Sequence, residues 1–316
     1  MVLHRISSVT TARPTRTLRE YKRGGNGNNL DVDVSTGAGI DTTGNVNACI
    51  ETDDGSDDVD VDGGDLKCGS TKSGEAGVLT NGGIDTVDVT DSKIEASDAI
   101  STGSEADTIN VLRSMLTSSD DCVQAFQGDD TVNFTDTMCS AMGEGMELGS
   151  GDDTVNILRS HIICDTGNIA CNAVEGGSGD EFFTVVESTL RSPKVAMDLD
   201  VGDDILTLGS GVVIEGIIDC DPDFDTIIFA MDVPEEALAL FSSEIAKATL
   251  PDGSVTINGL FYEWEDCELL VNELVGVRVT RPIPTLSEWG LIAMAVAMGV
   301  FGVFFAVRRR SAVDAG

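Results

Sequence analysis

An acid opens a short alternating strand again and again along this chain. Asp85 precedes TVDV, Asp107 TINV, Asp130 TVNF and Asp153 TVNI; Glu181 precedes FFTV, Asp204 ILTL and Asp225 TIIF. Asp58 and, at the front, Asp31 precede VDV. From Asp58 onward the spacings are 27, 22, 23, 23, 28, 23 and 21 residues. A period of this size means stacked supersecondary units, none of which can bury its own apolar face alone.

Each unit has the same internal order. Apolar side chains stand two and four residues after the acid, as Val87 and Val89, Ile109 and Val111, Val132 and Phe134, and Val155 and Ile157 do. Asp88, Asn110, Asn133 and Asn156 lie between them. Such period-two alternation turns one set inward and the other outward. Seven residues after the acid comes a small hydroxyl (Ser92, Ser114, Thr137, Ser160, Ser188), and two further on an inward candidate (Ile94, Leu116, Cys139, Ile162, Leu190). A third short strand and a glycine-rich corner complete the unit. Three strands in this length describe one turn of a parallel β-helix, with turns rising roughly 4.8 Å.

The expected fold is therefore all-β: a parallel β-helix, or solenoid, of about eight to nine turns and about 40 Å. A sandwich does not explain the fixed columns, and a propeller blade needs about 40 residues. Six residues after the anchor, Asp91, Arg113, Asp136, Arg159 and Glu187 alternate in sign. Stacked one above another, each would have an opposite neighbour, which specifies register more than it stabilises. The outward Asn110, Asn133 and Asn156 are expected to hydrogen-bond along the rod, as Asn ladders do, rather than face a ligand.

Composition narrows the function. The 316 residues hold 19 basic and 55 acidic side chains, a net charge of −36, which excludes nucleic acid as a partner. The charge is uneven: residues 1–30 carry six Lys and Arg against Glu20, and read as a basic disordered segment. The repeats occupy 31–231. Residues 232–281 read as a small α+β cap, with a helix over Pro234 to Lys247 and a hairpin around Asn258-Gly259. The cluster Phe261, Tyr262 and Trp264 reads as core.

The corners read GDD at Gly128–Asp130, Gly151–Asp153 and Gly202–Asp204. Turn chemistry is one explanation, because glycine supplies positive φ and Asp accepts backbone N–H groups. Calcium is the other. Carboxylates stacked about 4.8 Å apart repel by roughly 3.5 kcal/mol at an effective dielectric of 20, and calcium takes six to eight oxygens. The candidate ligands are Asp129, Asp130, Asp152, Asp153, Asp203 and Asp204. Gly149, Gly151, Asp153 and Val155 resemble one copy of the RTX calcium nonapeptide, whose copies recur every nine residues rather than every 23.

Eight cysteines and no CxxC point to an oxidised, exported protein more than to a metal site. Cys139, on the inward column, reads as a buried small hydrophobe. Cys164 and Cys171 bracket an insertion that a disulfide would close. Cys220 and Cys267 would tie the cap to the rod.

Residues 282–316 form the last segment. Trp289 to Val307 is 19 residues without a charge, about 28 Å of helix and enough to span a bilayer core. Arg308, Arg309 and Arg310 mark the cytoplasmic side. Just upstream stands IPTLSEWG. This order of motif, hydrophobic helix and basic cluster resembles the IPTL-CTERM sorting domain, itself similar to the PEP-CTERM/exosortase arrangement of Gram-negative bacteria. The resemblance implies that Ile283, Pro284, Thr285, Leu286, Trp289 and Gly290 form a recognition motif. It also implies a membrane-embedded, sortase-like processing enzyme as a partner, and delivery to the cell surface or matrix. The alternative is a plain single-pass anchor. Residues 1–30 contain no apolar h-region, so a truncated or misplaced start is expected, in preference to insertion directed by the C-terminal helix.

Three functions compete. The first is a non-catalytic, adhesin-like surface rod resembling an autotransporter passenger, with extracellular polysaccharide or other surface proteins as partners. The second is a β-helix carbohydrate-active enzyme, which rests on fold analogy alone. The third is a calcium-dependent assembly module. No cofactor other than calcium is implied.

Overall fold

The computed structural model describes residues 17–18, 21–22, 30–35, 37, 39–42, 48–68, 75–164, 171–221, 223–230, 252–257, 259–267, 269–272 and 277–280. Contacts divide the chain into Met1–Val279 and Thr280–Gly316. The first unit is an all-β parallel solenoid of about eight turns. The predicted helices over 234–247 and 289–307 lie outside the described residues. Within the basic segment 1–30, expected to be disordered, Thr17–Leu18 pairs parallel with Gly39–Thr42 and Tyr21–Lys22 with Ala48–Glu51, so two short strands there join the stack; the rest of that segment up to residue 29 lies outside the described residues.

Three walls make each turn. The first is an 11-stranded sheet in chain order. Its most regular part runs through Thr86–Thr90, Thr108–Leu112, Thr131–Thr135, Thr154–Leu158, Phe182–Val186, Ile205–Gly209 and Thr226–Ala230. Neighbours pair parallel and in register, Val132 beside Ile109 and Val155 beside Val132. The second wall includes Lys93–Ala96, Met115–Ser118, Met138–Ala141 and His161–Cys164; the third includes Asp98–Ser104, Val123–Gln124, Met146–Ser150 and Val174–Ser178. Thr189–Asp198 is long enough to run through both.

Alternation sets the core. Val87, Val89, Ile109, Val111, Val132 and Phe134 on the first wall are all at most 1 % exposed, as are Ile94 and Leu116 on the second and Ile100 and Val123 on the third. Each inward residue rests on its counterparts one turn above and below, so burial exists only in the stack.

Two buried polar ladders close the corners on either side of the first wall. On one side Ser92 accepts the N–H of Gly64, Ser114 that of Ser92, Thr137 that of Ser114, Ser160 that of Thr137 and Ser188 that of Ser160. The small hydroxyl column is thus a hydrogen-bond column. The anchor acids form the other ladder. Beside them, the corner glycines let successive turns approach closely. Gly151 has φ +137°, and a Cβ there would sit 1.9 Å from the Gly128 carbonyl oxygen, so no side chain fits.

The register corrects the front of the repeat. Asp58 pairs with Thr86 and Asp31 with Asp58, so both are outward strand residues. The anchor column instead begins at Leu30 and Asp57: the Asp57 carboxylate accepts the Leu30 N–H at 2.7 Å. The apolar pair two and four residues after the anchor also fits Asp57, with Val59 and Val61, and not Asp58, which is followed at those positions by Asp60 and Asp62.

All eight cysteines are paired: Cys49–Cys68, Cys122–Cys139, Cys164–Cys171 and Cys220–Cys267. Cys139 is therefore no free hydrophobe. It lies inward as expected, but Cys122 of the preceding turn's third wall meets it in the core. The hairpin is present, with Gly253–Ile257 antiparallel to Leu260–Glu265. Its second strand continues the third wall, Trp264 beside Ile218, and Leu269–Asn272 pairs parallel with Thr226–Ala230. Tyr262 and Trp264 are fully buried, and the Tyr262 hydroxyl donates to the Val212 carbonyl at 2.8 Å. Phe261 is 54 % exposed, because alternation in the hairpin turns it outward rather than into the core.

Candidate functional site

The paired acids of each GDD corner part company. Asp130, Asp153 and Asp204 point inward and are at most 1 % exposed, whereas Asp129, Asp152 and Asp203 are exposed. The inward acids accept N–H groups from the turn before: Asp107 N–H to Asp130 at 2.6 Å, Asp130 N–H to Asp153 at 2.7 Å and Glu181 N–H to Asp204 at 2.6 Å. The outward acids accept from the turn after: Asp152 N–H to Asp129 at 3.1 Å and Asp180 N–H to Asp152 at 3.0 Å. Each corner is thus clamped from both sides by backbone bonds, the turn chemistry of the first explanation. The six acids proposed as calcium ligands divide between two faces of the backbone and do not converge on one point.

The inward column continues through Asp57, Asp85, Asp107 and Asp225. Burial pushes the carboxyls of Asp85, Asp130 and Asp153 up to about 7 each, although the accepted N–H groups pull them down. Burial likewise raises Asp204 to about 6, and Glu181 to about 9 with help from the neighbouring Asp204. The Oδ2 atoms of Asp130 and Asp153 are buried without a hydrogen-bond partner. These are acids that favour the neutral form in the folded chain.

Two outward ladders behave as the sequence implied. Arg113 clasps Asp91 in a bidentate pair at 2.7 and 2.8 Å, and Arg159 clasps Asp136 at 2.7 and 2.9 Å, which lowers both carboxyl pKa values. The Asn133 amide donates to Asn110 at 2.8 Å and the Asn156 amide to Asn133 at 2.9 Å, so these amides are used along the rod.

A further acid column was not foreseen. On the third wall Glu147 pairs with Glu175, Glu175 with Asp198, Asp198 with Asp219 and Asp219 with Glu265. No basic side chain interleaves them. Beside this column, carboxylate oxygens of Asp198, Asp200 and Asp221 lie within 4.8 Å of one another, the one such grouping of acids among the described residues. Burial, then the charges of Asp200, Asp219, Asp221 and Glu175, push Asp198 up to about 7. The Asn172 amide donates to Asp198 and Glu175 at 3.1 Å each. These are the residues best placed to hold a hard cation. The signal was available: Glu147, Glu175, Asp198 and Asp219 each stand six residues before an anchor acid.

Ile283, Pro284, Thr285, Leu286, Trp289, Gly290 and Arg308–Arg310 lie outside the described residues, so comparison carries the tail. Residues 281–310 match the IPTL-CTERM motif. The match takes in all of IPTLSEWG, the uncharged stretch Trp289 to Val307 and the three arginines. No curated protein and no solved structure matches the chain. No helix among the described residues is long and apolar enough to cross a membrane. The IPTL-CTERM tail and the solenoid body together fit an exported, surface-associated protein.

Proposed function

We propose that this chain is a non-catalytic, adhesin-like surface rod of a Gram-negative bacterium. A membrane-embedded, sortase-like enzyme reads Ile283–Gly290 and processes the tail, and the solenoid then presents its walls outside the cell. The IPTL-CTERM match carries this reading. Four disulfides support it, since such bonds persist in oxidising compartments. The use of the corner acids as backbone clamps supports a structural role for the repeat. With only His4 and His161 in the chain, little general acid–base chemistry is on offer beyond the carboxyls. Protease treatment of intact native cells should remove the solenoid epitope while a cytoplasmic marker survives. Retention of the epitope until the cells are lysed would contradict surface display.

A second reading, a calcium-responsive module, is favoured by the unneutralised third-wall column rather than by the GDD corners. On that reading millimolar calcium raises the melting midpoint by several degrees over chelator, and Asp198→Asn removes the difference. Equal midpoints would leave the column as solvated acids.

A further inference from the structure

The outward face of the first wall changes character along the rod. Its early strands carry Asp31, Asp33, Asp58, Asp60, Asp62 and Asp88. From Thr108–Leu112 to Thr226–Ala230, six successive strands, no outward position is charged. In a chain of net charge −36 this is a conspicuous gap. Threonine and asparagine dominate its start; Phe182, Val186, Ile205 and Ile228 dominate its end, and Phe182 is 48 % exposed. Charge borders the strip on both long edges: exposed Asp129, Asp152 and Asp203 on one side, the Asp136–Arg159 pair and Glu187 on the other. An uncharged centre within a charged rim is the anatomy of an interface.

We infer that this strip pairs face to face with the same strip of a second copy, the two rods running in opposite directions. Three observations commit the surface to that occupant. First, the third wall would bring its stacked Glu147, Glu175, Asp198 and Asp219 against the partner, at a cost that like charges impose on association, and the second wall is free of Lys, Arg and carboxylates over only three strands, between Lys93/Glu95 and Arg191/Glu215. Second, the strip is a regular in-register sheet, and two such sheets pack at about 10 Å. Six strands at about 4.8 Å by five residues at about 3.3 Å bury about 1,000 Å² over both copies, the lower bound of a specific interface. Third, orientation follows from the aspartates. Parallel rods would stack Asp58, Asp60 and Asp62 on their own copies, whereas opposed rods overlap the uncharged strips and leave those tiers beyond them. The Asn110, Asn133 and Asn156 amides are already bonded along the rod, so the face offers a partner contact area more than unused hydrogen bonds. Opposed pairing is also what rods displayed on two facing surfaces could make; that consequence rests on the surface reading, but the pairing itself does not.

Sedimentation equilibrium of the purified full chain in density-matched detergent tests it. The expected result is a reversible dimer with micromolar dissociation constant. The double variant Thr184→Asp/Thr207→Asp weakens it at least about tenfold, while Thr117→Asp/Ser140→Asp on the second wall leaves it unchanged. Unaltered melting of both variants shows that the fold is kept. In the dimer, a spin label at Ile228→Cys reports a separation of about 25 Å from its copy for opposed rods, against about 10 Å for parallel ones. A wild-type monomer, a dimer indifferent to the first-wall charges, or the short label distance would each overturn the proposal.

Discussion

Lowering the pH from about 8 to about 5 raises the melting midpoint of the solenoid by about 8 °C. The cause is the column of inward acids. Asp85, Asp130 and Asp153 have folded-state pKa values of about 7 against an ordinary value of 3.8. The folded chain therefore holds protons that the unfolded chain releases between these two values. Stability from these groups is fully present below the unfolded pKa and is lost as pH rises through the folded one, so the slope is negative across that window. Each pKa unit corresponds to about 1.4 kcal/mol. Between pH about 5 and the folded value each acid spans about two pKa units, about 8 kcal/mol for the three, and a third of this, allowing for relaxation and solvent, leaves about 3 kcal/mol. The exposed, Arg-paired Asp91 and Asp136 shift the other way but lie in solvent, where such pairs contribute little. Asp130→Asn and Asp153→Asn keep the oxygen that accepts the neighbouring N–H and remove the titration. Both variants should melt higher than wild type at pH about 8 and show a flatter pH profile. A wild-type midpoint independent of pH would contradict the account, because it would mean that the column is ionised in the folded chain.

Reducing the four disulfides should lower the melting midpoint by at least about 15 °C. Cys49–Cys68 and Cys122–Cys139 each join one turn's third wall to the next turn's second wall, over separations of 19 and 17 residues. Closing loops of that size is worth about 3 kcal/mol each in the chain-entropy account. Cys220–Cys267, separated by 47 residues, is worth about 4 kcal/mol and holds the hairpin end of the stack. The combined contribution rivals the whole stability of an ordinary domain. The check is calorimetry of the oxidised chain against the reduced and alkylated one. A difference below about 5 °C would mean that turn stacking alone carries the fold, and the disulfides would then say nothing about where the protein must mature.

The body of the fold was legible because its columns are repeated. TVNF and TVNI show the inward residues directly, and the Ser and Arg/Asp columns fall at fixed offsets because each turn of the first wall has the same length. Legibility ended where the repeat is ambiguous or short. Asp57 and Asp58 are adjacent acids, and anchoring on the one next to the valine puts Asp60 and Asp62 where the other units carry apolar residues; the offset to Val59 and Val61 selects Asp57, and the pairing of Asp58 with Thr86 agrees. GDD reads as a pair of equivalent carboxylates, but adjacent residues of an extended chain face opposite ways, so one acid clamps the turn from inside and the other from outside. Cys139 gave no hint of Cys122, which lies on a different wall and one turn earlier. The third wall is the least regular, with strands as short as Val123–Gln124, and its acid column shows only when counted back from the anchors.

The processed tail is the central claim, and the intact mass of the protein recovered from its native cells tests it most directly. The account predicts a chain that ends near Ile283, lacking the uncharged stretch Trp289 to Val307 and the three arginines. A mass that retains the full C-terminus through Gly316 would contradict it, and IPTLSEWG would then be the flank of a permanent membrane anchor.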